Sequence, residues 1–371
     1  MRCVALLVGV CACSQWYGLD QPVRGDVPNT TIDATDATEV DTFVTAPDAG
    51  NCWSIPQLGV SFCRDQPLSG TLSVASDALT DTTADGTGVT ACTPTTDANL
   101  CVIAADSITV AQGKRWRFKG TRPVILVANA VSVLGELDAS SSHGGDTGPG
   151  AAMPGCDDGT APTGKGGGQG GSFGEKGGDG GDQANNANTR GVAGALLTGM
   201  TFRGGCRGTD GGGATNGNAA AGGAIALIAN TISVGSGAII NASGASGDGG
   251  NGPDDGGGGG GSGGMIVLES PMIITANNSQ IFANGGHGGG GANSSGPGVD
   301  GTDSTGATNT GGGGGGNGTA GDGAPGYPST TRNGTNGNGT NDGGGGGGGG
   351  AGVIHVYLGT VSGGLVSPPP S

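Results

Sequence analysis

Apolar and polar residues alternate in five widely separated stretches of the chain. They read "CVIAADSITVAQG" from residue 101, "PVILVANAVSVLGELDAS" from 123, "AIALIANTISVGSGAIINASG" from 224, "MIVLESPMIITANNSQIFANG" from 265 and "VIHVYLGTVSGGLV" from 353. A period of two predicts strands, because successive side chains of a strand point to opposite faces. Aligned on one another, the copies place Val124, Ile225, Ile266 and Ile354 in one slot. Leu126, Leu227, Leu268 and Val356 fill a second, and Ile108, Val131, Ile232, Ile273 and Val361 a third. Stacked at the ~4.8 Å strand spacing, such slots form aliphatic columns. The expected fold class is therefore all-β, with a parallel β-helix or solenoid-like core over residues 101–371. A β-sandwich built from the same strands would not require the slots to recur in parallel order. Between the inward columns lie Ile125, Ala226, Val267 and His355, then Val127, Ile228, Glu269 and Tyr357. Strands apolar on both faces are usually covered on both, so a second layer is expected here.

Glycine-rich runs leave the core after the third strand of successive copies, at residues 142–222, 245–264 and 285–352. Ordering glycine costs more backbone entropy than ordering any other residue, so these excursions need a reward to be fixed. One is lateral hydrogen bonding between polyglycine chains of polyproline II type, with about three residues per turn. The first excursion carries Phe173, Leu196, Leu197, Met200 and Phe202 as anchors. The last has Tyr327 alone and is expected to be substantially mobile.

Ahead of the repeats, residues 1–13 ("MRCVALLVGVCAC") combine an early Arg2 with a short apolar run, the pattern of an export signal. Its end, Val10 to Cys13, resembles a bacterial lipobox, which implies lipidation of Cys13, a membrane anchor through that lipid and an outer-membrane or cell-surface location. Ordinary signal cleavage nearby is the alternative. Residues 14–50, rich in Thr, Asp and Pro, predict a disordered tether, and 51–100 a small disulfide-stapled β cap. In an exported chain Cys52, Cys63, Cys92, Cys101, Cys156 and Cys206 predict disulfides, with proximity favouring Cys52–Cys63, Cys92–Cys101 and Cys156–Cys206. No CxxC pair supports zinc.

Composition narrows the partners. A net charge of −16 argues against nucleic acid, and no glycine motif sits between a strand and an amphipathic helix as nucleotide binding requires. No cofactor is expected beyond loosely bound Ca²⁺ at Asp157, Asp158, Asp254 and Asp255. "GGDGGDQAN" at 177–185 approaches a calcium-binding nonapeptide but lacks its apolar residue. Glu136 and Asp138, two apart on one strand, are the best acids for a glycosidic-bond-cleaving enzyme. His143 and His287 share an offset from the core, with Ser246 in the slot between them. Two strand spacings, ~9–10 Å, would separate their rings, too far for one zinc.

The lipobox-like start, the Thr/Asp tether, "TRPVILVANAVSV", "PTGKGGGQGGSFG", "GGSGGMIVLES" and "GAGVIHVYLGTVSGGLVSPPP" together resemble glycine-rich, lipobox-bearing surface proteins of myxobacterial type. That resemblance implies a location and carries no activity. A looser similarity links the glycine runs to phage tail-tip adhesins whose polyglycine helices present recognition loops. The expected function is a non-catalytic cell-surface lipoprotein acting in adhesion, display or envelope structure, with an extracellular glycan or cell-surface partner. A carbohydrate-active β-helix enzyme, lyase or hydrolase, is the alternative. Ice or mineral binding would need regular Thr rows, which the outer slots lack.

Overall fold

Every alternating stretch forms strands. The computed structural model describes residues 51–371 except 84–86, 89–90, 152, 215–218, 309–310 and 340, so Cys13 and the 14–50 tether lie outside the described residues. In chain order the strands are β1 (Cys52–Ile55), β2 (Val60–Cys63), β3 (Thr71–Val74), β4 (Ala78–Asp81), β5 (Thr87–Gly88) and β6 (Cys101–Ala104). There follow β7 (Ser107–Val110), β8 (Arg115–Lys119), β9 (Val124–Val133), β10 (Glu136–Asp138), β11 (Ala224–Val234) and β12 (Ile239–Asn241). The last are β13 (Met265–Glu269), β14 (Met272–Thr275), β15 (Gln280–Phe282), β16 (Val353–Tyr357) and β17 (Leu365–Ser367). One 3₁₀ turn, Pro56–Leu58, is the helical element among the described residues. Among the described residues no helix is long and apolar enough to cross a membrane.

The strands make two parallel sheets and one hairpin. An eight-stranded sheet runs in the order β16, β13, β11, β9, β7, β3, with β14 also beside β11 and β6 beside β9. A seven-stranded sheet runs β17, β15, β12, β10, β8, β4, β5, parallel except for its last pair. The columns hold: Val124 pairs with Ile225, Ile225 with Ile266 and Ile266 with Ile354. Ile108, Val131, Ile232 and Ile273 align likewise. These side chains share one buried cluster with Leu137, Ile240 and Ile281 of the seven-stranded sheet, so the core lies between the two sheets. Burying each such aliphatic contributes about 1.5–3 kcal/mol.

The expected β-helix, however, does not form. The strands belong to separate flat parallel sheets, and the path from the seven-stranded sheet back to the eight-stranded one leaves through a glycine-rich run after β10, β12 and β15. Among the described residues no strand closes a coil. The alternation specifies which residues stack and in what order, and two sheets satisfy that stacking as well as a solenoid does. Nor does residue 100 mark the start of the sheets. β3 pairs with β7 and β4 with β8, leaving the antiparallel β1–β2 hairpin as the separate N-terminal piece. The sulfurs pair as Cys52–Cys63, Cys92–Cys101 and Cys156–Cys206.

The outer face of the eight-stranded sheet is covered. Ile125, Val127, Ala226, Ile228, Met265 and Val267 pack beneath Ile55 and Phe62 of the hairpin and Phe173, Phe202 and Cys206 of the first glycine run.

The glycine runs pack against one another as a third layer. Gly257, Gly260 and Gly263 donate their N–H groups to the carbonyls of Gly344, Gly347 and Gly350 at 2.9–3.1 Å. Those three residues donate in turn to Lys165, Gly168 and Gly171, and Gly168 and Gly171 donate back to Gly257 and Gly260. The residues between bond elsewhere: Gly256, Gly259 and Ser262 to Gly212, Thr209 and Cys206, and Gly258, Gly261 and Gly264 to Asp248, Ala245 and Ala242. Each neighbour is thus met every third residue, the periodicity of a threefold, polyproline II-type chain. The approach is too close for side chains. A Cβ on Gly346 would lie 1.9 Å from the Gly258 carbonyl oxygen, and one on Gly259 1.9 Å from that of Gln169. The expectation of a mobile last excursion is therefore corrected, since its segment 343–350 is buried and bonded on several sides. The reward for ordering is the set of backbone hydrogen bonds that only glycine allows at this spacing.

Where the lattice runs out of neighbours, Asp and Asn side chains spaced by three take their place. Asn333 and Asn336 accept the N–H groups of Asp179 and Asp182 at 2.9 and 2.8 Å. Asp179 and Asp182 accept those of Ala193 and Thr189, and Asp300 and Asp303 those of Gly249 and Ser246. The spacing in "GGDGGDQAN" thus serves lattice edges: i and i+3 fall on one side of a threefold chain.

Candidate functional site

The acid pair sits in an ion ladder. In β8 Trp116 and Phe118 point into the core, which turns Arg115 and Arg117 outward. Register places Arg115 beside Glu136 and Arg117 beside Asp138. Arg115 Nη2 donates to Asp138 Oδ2, Arg117 Nε lies 3.7 Å from the same oxygen, and Arg115 Nε is 3.5 Å from Glu136 Oε1. Asp138 is fully buried, and its Oδ1 accepts the Ser140 N–H at 3.0 Å and the Ser140 hydroxyl at 2.5 Å. Burial raises the Glu136 carboxyl above its ordinary value against the opposing pull of Arg115. Glycoside cleavage needs two carboxyl groups flanking a sugar. Here the carboxyl groups are engaged by the guanidinium groups of Arg115 and Arg117 and by Ser140, and the ion pairs tie β8 to β10.

Nor are the four calcium candidates gathered. Asp157 accepts N–H groups from Ala195 and Gly159, which lower its pKa in that order. Asp255 is buried and bonded to Lys165 Nζ at 2.5 Å, Asp254 occupies a turn at φ 64°, and Asp158 lines a cavity.

The turns between lattice segments meet at one end. Ala184 donates its N–H to Asp342, Gly337 to Asp182, Ala292 to Asp255 and Gly343 to Ala292. Side chains extend the join: Asn185 Nδ2 reaches Gly339 O at 3.1 Å, Lys165 Nζ reaches Pro253 O at 3.2 Å and Asn317 Nδ2 reaches Pro297 O at 3.1 Å. Asn185, Asn188, Asp254 and Asn341 hold positive φ, a conformation Asn and Asp tolerate. Asn185, Asn186, Asn188, Asn251, Ser294, Ser295, Asn338 and Asn341 are exposed there. The result is a face of amides and hydroxyls held on a stiff base.

A cavity of about 550 Å³ opens where the first two glycine runs meet, lined by His143, Thr147, Met153, Arg207, Ser246 and Asp248 among others. His287 does not reach it. Its ring is wholly buried in the lattice, where Nδ1 accepts the Gly326 N–H at 2.8 Å and burial lowers its pKa to about 4. The intermediate Ser246 instead accepts the His287 N–H through Oγ at 3.1 Å.

No family model, curated protein or solved structure matches this chain.

Three functional groupings escaped sequence reasoning. The basic partners of Glu136 and Asp138 were findable, because "RWRFK" alternates two strands earlier in the chain. The convergence of the turns left no trace, since glycine segments carry no side-chain pattern that names their neighbours. Asp248, Asp300 and Asp303 have only the threefold spacing of the last two as a signal.

Proposed function

We propose that this is a non-catalytic cell-surface protein that displays a polar recognition face for adhesion, held to the membrane by lipid at Cys13. The observation that carries the reading is the joining of turns from all three glycine runs into one exposed Asn- and Ser-rich end, braced by a laterally bonded lattice. A binding surface gains affinity when its loops are ordered beforehand, because less conformational entropy is lost on contact. Amide and hydroxyl groups suit the hydroxyl-rich surface of an extracellular glycan. The lipobox-like start and the likeness to glycine-rich surface proteins support the location.

The test is binding of the intact protein to a glycan panel and to whole cells. A variant with Asn186, Asn251, Ser294, Ser295 and Asn338 changed to Ala, which spares the positive-φ Asn185 and Asn188, should lose binding while keeping its melting temperature. Binding unaffected by those changes would refute the display reading, and polysaccharide cleavage abolished by Glu136→Gln would replace it with catalysis.

A further inference from the structure

His143 opens the first glycine run, Asp248 lies in the second and Asp300 in the third, so lattice packing alone brings them together. His143 Nε2 contacts Asp248 Oδ1 and lies 3.8 Å from Asp300 Oδ2. One donor atom from each residue falls within 4.8 Å of the other two. Two of the three are held from behind. Gly249 N–H donates to Asp300 Oδ1 at 2.8 Å, leaving Oδ2 directed at the imidazole. Asp303 fixes the backbone on both sides of the site, accepting the N–H of His143 on Oδ2 and that of Ser246 on Oδ1, each at 2.8 Å.

Charge is left over. Two aspartates face one imidazole while a third binds its backbone, and among the described residues the salt bridges of Asp248 and Asp300 run to His143 alone. The site is also open: the three side chains are 29%, 38% and 55% exposed, and His143 and Asp248 line the cavity.

We propose that His143, Asp248 and Asp300 bind a divalent transition-metal cation of the zinc class at the rim of this cavity. An imidazole nitrogen with two carboxylate oxygens suits such a cation, at ligand distances of ~2.0–2.2 Å, whereas Ca²⁺ and Mg²⁺ favour all-oxygen sets. Its charge would offset the two carboxylates, and three protein ligands leave a coordination position for water or an incoming donor on the cavity side. The metal would also cross-link the three glycine runs. The proposal does not depend on the display reading.

The test is calorimetric titration of chelator-treated intact protein with zinc chloride, together with the visible spectrum after adding Co²⁺. One zinc per chain is expected, with a Co²⁺ absorption distinct from that of the hydrated ion. Asp300→Asn retains an oxygen for the Gly249 N–H and so keeps the fold, which the melting temperature of the metal-free variant verifies. It and His143→Gln should each weaken zinc binding ~10-fold or more, at least the loss seen on removing an outer-sphere partner of a metal ligand. Absence of zinc binding, or affinity unchanged in both variants, would overturn the assignment. So would stabilisation by Ca²⁺ or Mg²⁺ with none by Zn²⁺.

Discussion

Replacing Gly346 by Ala asks whether the lattice is truly closed to side chains. The added Cβ would lie 1.9 Å from the Gly258 carbonyl oxygen and 2.5 Å from its carbon. Backbone cannot rotate aside as a side chain can, so ordinary contact near 3.4 Å requires the two segments to separate by about 1.5 Å. Overpacking of this kind costs ~1–3 kcal/mol. The shift would strain the Gly346 bond to Gly289 and the Gly258 bond to Asp248, both 2.8 Å, at ~1 kcal/mol each. Lower entropy of the unfolded chain returns ~0.4–1 kcal/mol. The net expectation is a loss of about 2–5 kcal/mol. Gly312→Ala is the control, because nothing lies within 4 Å of a Cβ there and its φ is not positive. It should be neutral or stabilising by up to ~1 kcal/mol. Urea unfolding of the three proteins measures the difference, and equal midpoints for the two variants would refute close packing.

The remaining predictions concern buried charge. Glu269 is buried with Oε2 unpartnered, and desolvation raises its pKa from 4.5 to about 7. Its contribution is therefore full below pH 4.5 and lost as pH rises to about 7, by about 3 kcal/mol at ~1.36 kcal/mol per pH unit. His287, lowered from 6.5 to about 4, contributes fully above pH 6.5 and loses it as pH falls to about 4. The two slopes oppose each other in one window. Wild type should show little net dependence from this pair, whereas Glu269→Gln should lose about 3 kcal/mol on acidification from pH 6.5 to 4; urea midpoints across that range decide, and parallel profiles would contradict both assignments. Asp138→Ala, which strips Arg115 and Ser140 of a buried partner, should cost about 3 kcal/mol, while Glu136→Gln, at the exposed edge of the ladder, should cost under ~1 kcal/mol by the same assay.

Much of the β core was legible because its information is local. Alternation named the strands, and matching slots such as Val124, Ile225 and Ile266 named their register, since a one-residue slip would expose every column. Closure was not legible, because coil and paired sheets bury the same columns. The apolar outer slots correctly demanded a cover, but Phe62, Phe173 and Phe202 are too far apart in sequence to announce themselves as one layer. For the glycine layer the threefold spacing of Asp179 with Asp182 and of Asn333 with Asn336 was present in the text. Its meaning lies in backbone hydrogen bonds, which leave partner choice unwritten. The ladder shows the same limit: alternation put Glu136 and Asp138 on one strand face, but that Arg115 and Arg117 of β8 lie against them follows from the sheet order.

Hydrogen–deuterium exchange of the intact protein, followed by mass spectrometry over residues 256–264 and 343–350, tests the account most directly. These amides should exchange as slowly as those of β9 and β11, because each is bonded to a carbonyl of a neighbouring segment. Exchange there at the rate of an unstructured chain, with the strands still protected, would contradict a hydrogen-bonded glycine lattice and remove the rigid base on which the proposed recognition face depends.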